Sequence, residues 1–142
     1  MQLHQVFYIS RATLPMSTDV ENIIAESRAR NAPLQLTGAL VFSGEFFAQV
    51  LEGFPEDVER LMCSIRRDRR HSILWEWPSR AVAERWYPDW SMGHLQNDNL
   101  EAVVDHLSES PGPLPPLEYF VRWLISTSRL NKRSRTAAVP PA

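Results

Sequence analysis

Leu34–Leu61 reads LQLTGALVFSGEFFAQVLEGFPEDVERL, a β-hairpin followed by a helix against which the rest of the chain can be folded. Leu36 to Ser43 and Phe46 to Glu52 are apolar, β-prone runs, and the Ser43-Gly44-Glu45 break supplies a turn glycine. Gly53 ends the second strand. Pro55 then stands at a first helical position, with Glu56 and Asp57 in the first turn. One residue is out of place: Gln49 in FFAQVLEG, which period-two alternation puts on the same face as Phe47 and Leu51. A primary amide on a buried strand face costs roughly 1–3 kcal/mol unless it finds hydrogen-bond partners. Something polar is therefore expected over that face.

The 142 residues fit one domain with a real core and room for a short appendage. A net charge of −2 gives no electrostatic footprint for nucleic acid, and no apolar run approaches the roughly 20 residues needed to span a bilayer. The opening MQLHQVFYIS lacks the charged and apolar regions of a signal peptide. The single cysteine, Cys63, rules out an internal disulfide framework and suits a reducing cytoplasm, the expected location. With no activating base beside it, Cys63 reads as an ordinary helix residue.

In chain order, Leu3 to Ser10 alternates as a strand, with Leu3, Gln5, Phe7 and Ile9 on one face and His4, Val6, Tyr8 and Ser10 on the other. After Pro15, Thr18-Asp19-Val20-Glu21 has capping-box form. The helix that follows aligns Val20, Ile23, Ile24, Ser27 and Asn31 along one stripe. Asn31, before Pro33, can be read as a plain C-terminal cap or as a buried polar group with a task. A second helix, Pro55 to Arg67, carries Val58, Leu61, Met62 and Ile65, and the charged run after it reads as a solvated helix end. A fourth strand is expected from Ser72 to Trp77, with Ile73, Trp75 and Trp77 on one face and Pro78 ending it. A fifth is expected from Trp90 to Gln96.

The order β-α-β-β-α-β-β is the split βαβ pattern of an α+β, ferredoxin-like fold, a sheet with two helices on one face. Both phases of the hairpin strands are apolar: Leu36, Leu40 and Phe42 on one side, Ala39 and Val41 on the other. The second face therefore needs cover. Leu100 to Leu107 can form a short helix. After the proline-rich Pro111 to Pro116, the stripe Leu117, Phe120, Val121, Leu124 and Ile125 makes a stronger one. The organisation expected is a core domain over 1–96, a helical cap and output region over 97–130, and a disordered tail over 131–142.

Chemistry-bearing motifs are missing. There is no G-x-G-x-x-G, no P-loop, no metal-ligand spacing among His4, His71, His94, His106 and Cys63, and no G-x-S-x-G. An enzyme and a metal site are not expected. What remains is a set of polar residues on inward faces: Tyr8, Ser27, Asn31 and Gln49. Each has a bland explanation as a satisfied buried polar group. Together they describe a polar pocket between sheet and helices, suited to a planar ligand with amide-like edges.

The chain resembles the BLUF family of flavin-dependent blue-light sensors. The matching segments are Tyr8-Ile9-Ser10, Ala29-Arg30-Asn31, Leu36-Thr37-Gly38-Ala39-Leu40 and Phe47-Ala48-Gln49-Val50-Leu51-Glu52-Gly53. They continue through Ile65 and Asp68-Arg69-Arg70-His71 to Trp90-Ser91-Met92-Gly93. The likeness covers residues 1 to about 96. It implies FAD as cofactor, with FMN or riboflavin as substitutes, held between the two helices and over the sheet. It implies Tyr8 as the photochemical electron and proton donor and Gln49 as the hydrogen-bond switch. Asn31 would pair with the pyrimidine side of the flavin; Ile23, Ser27, Phe47 and Ile65 would line its ring; Asp68, Arg70 and His71 would lie toward the dimethylbenzene edge and side chain. Trp90, Ser91 and Met92 would relay the signal. Ser64 stands where some relatives have an arginine, so phosphate contacts would fall to Arg30 or Arg66.

The resemblance also implies signalling to a separate effector, such as a cyclic-nucleotide phosphodiesterase or a transcription regulator, from a homodimer or higher homo-oligomer. Nucleic acid and membrane are not expected partners. Two other readings remain open at this stage. A flavin-reducing enzyme would need a site for a nicotinamide cofactor, and a flavin-free dimerisation module would purify colourless.

Overall fold

Two apolar phases on each central strand demand two layers of cover, and both are present. The computed structural model describes residues 2–13, 19–110 and 112–130. Its elements are β1 (Leu3–Ala12), α1 (Asp19–Asn31), β2 (Thr37–Phe42), β3 (Phe46–Gly53), α2 (Pro55–Arg67), β4 (His71–Val82), β5 (Gly93–Gln96), α3 (Leu100–Glu109), α4 (Leu117–Ser126) and β6 (Arg129–Leu130). The strands form one sheet in the order β4-β1-β3-β2-β5-β6. β1 lies antiparallel to both β3 and β4, and β2 runs antiparallel to β3 but parallel to β5. The α+β, ferredoxin-like fold read from the sequence is the fold observed.

The hairpin β2–β3 forms for local reasons. Ser43 closes it twice, donating its N–H to the Phe46 carbonyl and accepting the Phe46 N–H on Oγ, both at 3.1 Å. Gly44 takes φ +104°, which a side chain would strain. Pro55 and two acids open α2, and Arg66 and Arg67 close it in register with the helix dipole. Leu36, Leu40, Phe42, Phe47 and Leu51 face α1 and α2, where Val20, Ile24, Val58, Leu61 and Met62 complete a core with Val6 and Tyr8. The other phase, Ala39, Val41, Ala48 and Val50 with Phe7 and Ile9, is sealed by Leu100 and Val104 of α3 and Leu117, Val121 and Leu124 of α4.

The structure departs from the sequence expectations at the sheet borders. β4 does not stop at Pro78 but continues to Val82. Its pairing with β1 shifts register between Gln5 and Phe7, so Pro78 and Ser79 bulge opposite Val6. Proline lacks a ladder donor, and an edge strand is where that loss is tolerated. A second shift, between Ile9 and Ser10, places Leu74 in a bulge. That bulge reverses the phase of the strand: Trp75 and Trp77 share the α3/α4 side, but Ile73, expected on the same face as them, packs on the α1/α2 side. β5 begins at Gly93 rather than Trp90, and the short β6 pairs with it antiparallel, unforeseen. Thr18 of the capping box, Pro15, Pro111 and the tail from Asn131 lie outside the described residues.

Candidate functional site

The face of the sheet under α1 and α2 carries Tyr8 and Gln49, two of the four polar residues singled out in the sequence, and α1 above it carries Ser27 and Asn31. Tyr8 of β1 and Gln49 of β3 are cross-strand partners, both buried, so their side chains meet on that face. The Tyr8 hydroxyl donates to Gln49 Oε1. Gln49 Nε2 in turn donates to the sulfur of Met92 at 3.4 Å. The lone amide therefore has one strong partner and one weak one, since a thioether is a poor acceptor. Burial pushes the Tyr8 phenol well above its usual range, Asp68 adding to the effect and Arg30 opposing it. Tyr8 is accordingly a neutral proton donor.

A cleft opens above this pair, about 540 Å³ with its solvent-open mouth included. Tyr8, Gln49, Phe47 and Leu40 form its floor, Ile23, Glu26, Ser27 and Arg30 of α1 one wall, and Ile65 of α2 with Asp68, Arg70 and His71 the other. Arg30 reaches Ser27 Oγ at 3.4 Å and Asn31 Oδ1 at 3.3 Å, both near the upper limit for a hydrogen bond. Asp68 and Arg70 pair at 2.7 Å within one wall, and Arg70 also reaches Glu26 of the facing wall at 3.5 Å. The Arg70 hydrogen bond holds the Asp68 carboxyl below its ordinary range. His71 Nε2 lies 2.8 Å from the Ile65 carbonyl, which can only accept, so that nitrogen carries the hydrogen. Nδ1 sits 2.7 Å from Ser10 Oγ. His71 thus ties the end of α2 to β1 and fixes the cleft wall.

The sequence candidates are not all gathered here. Tyr8, Ile23, Ser27, Arg30, Phe47, Gln49, Ile65, Asp68, Arg70 and His71 line the one cleft. Asn31 is fully buried behind Arg30; its side-chain amide donates to the Ser91 carbonyl at 2.9 Å and does not cap its own helix. Met92 does not line the cleft but contacts Gln49 on the same face of the sheet, whereas Trp90 is buried on the opposite face, among the residues under α3 and α4. Of the two cations considered for a phosphate, Arg30 lines the cleft. Arg66 is drawn off by Glu76 at 2.7 Å and Glu59 at 3.2 Å.

Sequence reasoning missed Glu26, Leu40 and Arg28. Leu40 could have been found as the partner of Gln49 in the hairpin register, and Glu26 as the residue one turn before Arg30. Arg28, whose Nε donates to the Met92 carbonyl at 3.0 Å, gave no signal, because its partner is 64 positions away and in no regular element. Among the described residues no His/Cys/Asp/Glu cluster could hold a metal ion, and no helix is long and apolar enough to cross a membrane.

The residues present fit a flavin. Aliphatic and aromatic walls suit the faces of a tricyclic ring. Amide, hydroxyl and guanidinium groups stand where its heteroatom edge would need partners, and a charged mouth suits a polar side chain.

Comparison with known proteins agrees. The family described as sensors of blue-light using FAD (BLUF) matches residues 3–93. A photoactivated adenylate cyclase subunit beta of Euglena longa is 34% identical over 119 residues, covering 80% of this chain but only 14% of that protein. The chain thus spans about a seventh of that relative's length. Among solved structures, the dark state of the BLUF protein BlrB is 33% identical, with a TM-score of 0.66 over 79% of this chain and 87% of that one. The ground state of BlsA is 27% identical, with a TM-score of 0.74 over 94% and 93%. With the family's match running from β1 to the start of β5, and a cleft of the right chemistry between them, this chain belongs to the BLUF family of blue-light sensors.

Proposed function

We propose that this chain is a blue-light photoreceptor in which Tyr8 and Gln49 form the switch and a separate protein receives the signal. The observation that carries the reading is the buried hydrogen-bond chain Tyr8–Gln49–Met92, whose first two members line the floor of the cleft. Bound there, FAD (or FMN) supplies the blue-light absorption and, when excited, the acceptor for an electron and a proton from Tyr8. Ile23, Ser27, Phe47 and Ile65 would line the ring, Arg30 would be the cation available to a phosphate of the side chain, and Asp68, Arg70 and His71 shape the mouth. Asn31 acts from behind, orienting Arg30 and anchoring Ser91.

What the protein contributes to switching follows from hydrogen-bond inventory. In the arrangement observed, Gln49 accepts from Tyr8 and donates to Met92. Turning the amide over, or tautomerising it, exchanges its donor and acceptor without changing its volume. After rotation the carbonyl oxygen faces a sulfur that cannot donate. Met92 loses its partner and is pushed away, while the new donor seeks an acceptor at the cleft. The rearrangement biases the segment Trp90-Ser91-Met92 and, through it, β5 and the cap formed by α3 and α4. Residues 97–130 serve as the output region.

The effector is a second protein of the cyclic-nucleotide-turnover or transcription-regulator kind, addressed by a homodimer or higher homo-oligomer in the cytoplasm. No catalytic activity is assigned to the chain itself. The test is the visible spectrum of the flavin-loaded protein before and after a blue pulse. Wild type is expected to shift to the red and recover in the dark. Tyr8→Phe and Gln49→Ala are expected to retain flavin and lose that shift. Normal photocycling in either variant overturns the assignment.

A further inference from the structure

Residues 85–92 pass from one face of the sheet to the other. At the far end Met92 and Ser91 touch the switch through Gln49 and Asn31. At the near end Tyr87 stacks on Trp90, ring centroids 5.4 Å apart and planes at 13°. Trp86 lies between two guanidinium groups, Arg80 at 4.9 Å and Arg122 of α4 at 4.7 Å. The middle is braced: the Gly38 N–H donates to the Trp90 carbonyl at 2.9 Å.

What fixes the near end is Glu52. It lies on β3 three residues after Gln49, on the sheet face opposite the cleft, and is fully buried. Its Oε2 accepts the Trp86 N–H at 2.7 Å and its Oε1 the Tyr87 N–H at 3.2 Å. Arg85 Nη1 adds bonds to Thr37 Oγ1 at 2.8 Å and to the Glu52 carbonyl at 3.1 Å. A carboxylate in an apolar core is costly unless its oxygens are filled, and here two consecutive backbone amides fill them. Nothing about holding a flavin requires this group, since the sheet stands between.

We propose that Glu52 is a positioning residue of the photoswitch. It pins Trp86 and Tyr87 to β3, so that a displacement of Met92 and Ser91 turns the segment about that pin and reaches α4 through Trp86 and Arg122. The inference rests on the light-sensor reading. Burial pushes the Glu52 carboxyl up to about 7, the two amides and Arg85 opposing. Around it stand Arg85, the Tyr87 phenol and Gln5 of β1, which itself accepts from Arg80 at 3.1 Å; Arg122 of α4 faces Tyr87. Above neutrality both amides are held by a carboxylate. Below it a protonated carboxyl holds them less well and the pin loosens.

The experiment compares flavin-loaded wild type with Glu52→Gln and Arg122→Gln. Glu52→Gln is expected to form the red-shifted state normally. Its dark recovery should stay flat between about pH 6 and about pH 8, where wild type changes severalfold. Hydrogen exchange at the Trp86 and Tyr87 amides, corrected for intrinsic rates, should be about tenfold faster in the variant. Arg122→Gln lies on an exposed helix face and covers the case in which Glu52→Gln does not fold. It should keep the red shift and lose the light-dark difference in exchange along α4. A normal red shift with the wild-type pH profile or unchanged amide protection in Glu52→Gln overturns this inference alone. So does an unchanged α4 difference in Arg122→Gln. Absence of any red shift in wild type overturns the light-sensor reading and this inference with it.

Discussion

Gln49 does its work because of what it is bonded to on either side. A donor on Tyr8 and a bare acceptor on Met92 leave one amide orientation satisfied and the other half-satisfied. Gly93 matters for the same segment. A Cβ there would come within 2.4 Å of the Trp90 indole, which is fully buried and cannot retreat. Gly93→Ala should therefore displace Trp90, cost roughly 1–3 kcal/mol of stability by overpacking, and alter the lifetime of the lit state; chemical denaturation and dark-recovery kinetics check both. Sequence alone exposed Gln49, because an amide between Phe47 and Leu51 on an otherwise apolar face stands out. Asn31 stayed ambiguous. A C-terminal Asn caps helices so often that its actual bond, to the Ser91 carbonyl 60 positions away, has no local signature.

Among the elements, α2 was legible end to end, since proline, acids and arginines mark its boundaries. α4 was legible from its stripe, and the structure adds what the stripe is for: Val121 and Leu124 are fully buried against the strand face that α1 and α2 leave open. Leu124→Ala should cost about 2–5 kcal/mol, read as a lowered denaturation midpoint, while flavin affinity in the surviving folded fraction stays near wild type. A large loss of affinity without a loss of stability would place α4 in the flavin site instead. β4 was misread because Pro78 is a good stop signal in isolation. Only the bulge opposite Val6 lets the strand run on, and bulges depend on the neighbouring strand rather than on the local sequence. The late start of β5 has a similar origin, because Trp90–Met92 is held by bonds to Gly38, Asn31 and Gln49 instead of a ladder.

At the scale of the molecule, the two apolar phases of the hairpin already demanded helices on both faces. The strand order was not readable, because nothing local says that β5 lies parallel beside β2. Glu52 couples the whole fold to pH. Its carboxyl titrates near 7 when folded against a reference value of 4.5, so the native state holds that proton more tightly than the unfolded chain. Its contribution to stability is then greatest below about pH 4.5 and declines as pH rises through about 7. The fall in melting temperature between about pH 5 and about pH 8 should be shallower in Glu52→Gln; an identical slope would show that other groups set it. The two bulges of β4 have a consequence of another kind. A border strand interrupted at Leu74 and again at Pro78–Ser79 offers a neighbouring copy no long straight row of donors and acceptors to zip onto. Crowded together, these molecules are built to resist growing into fibres.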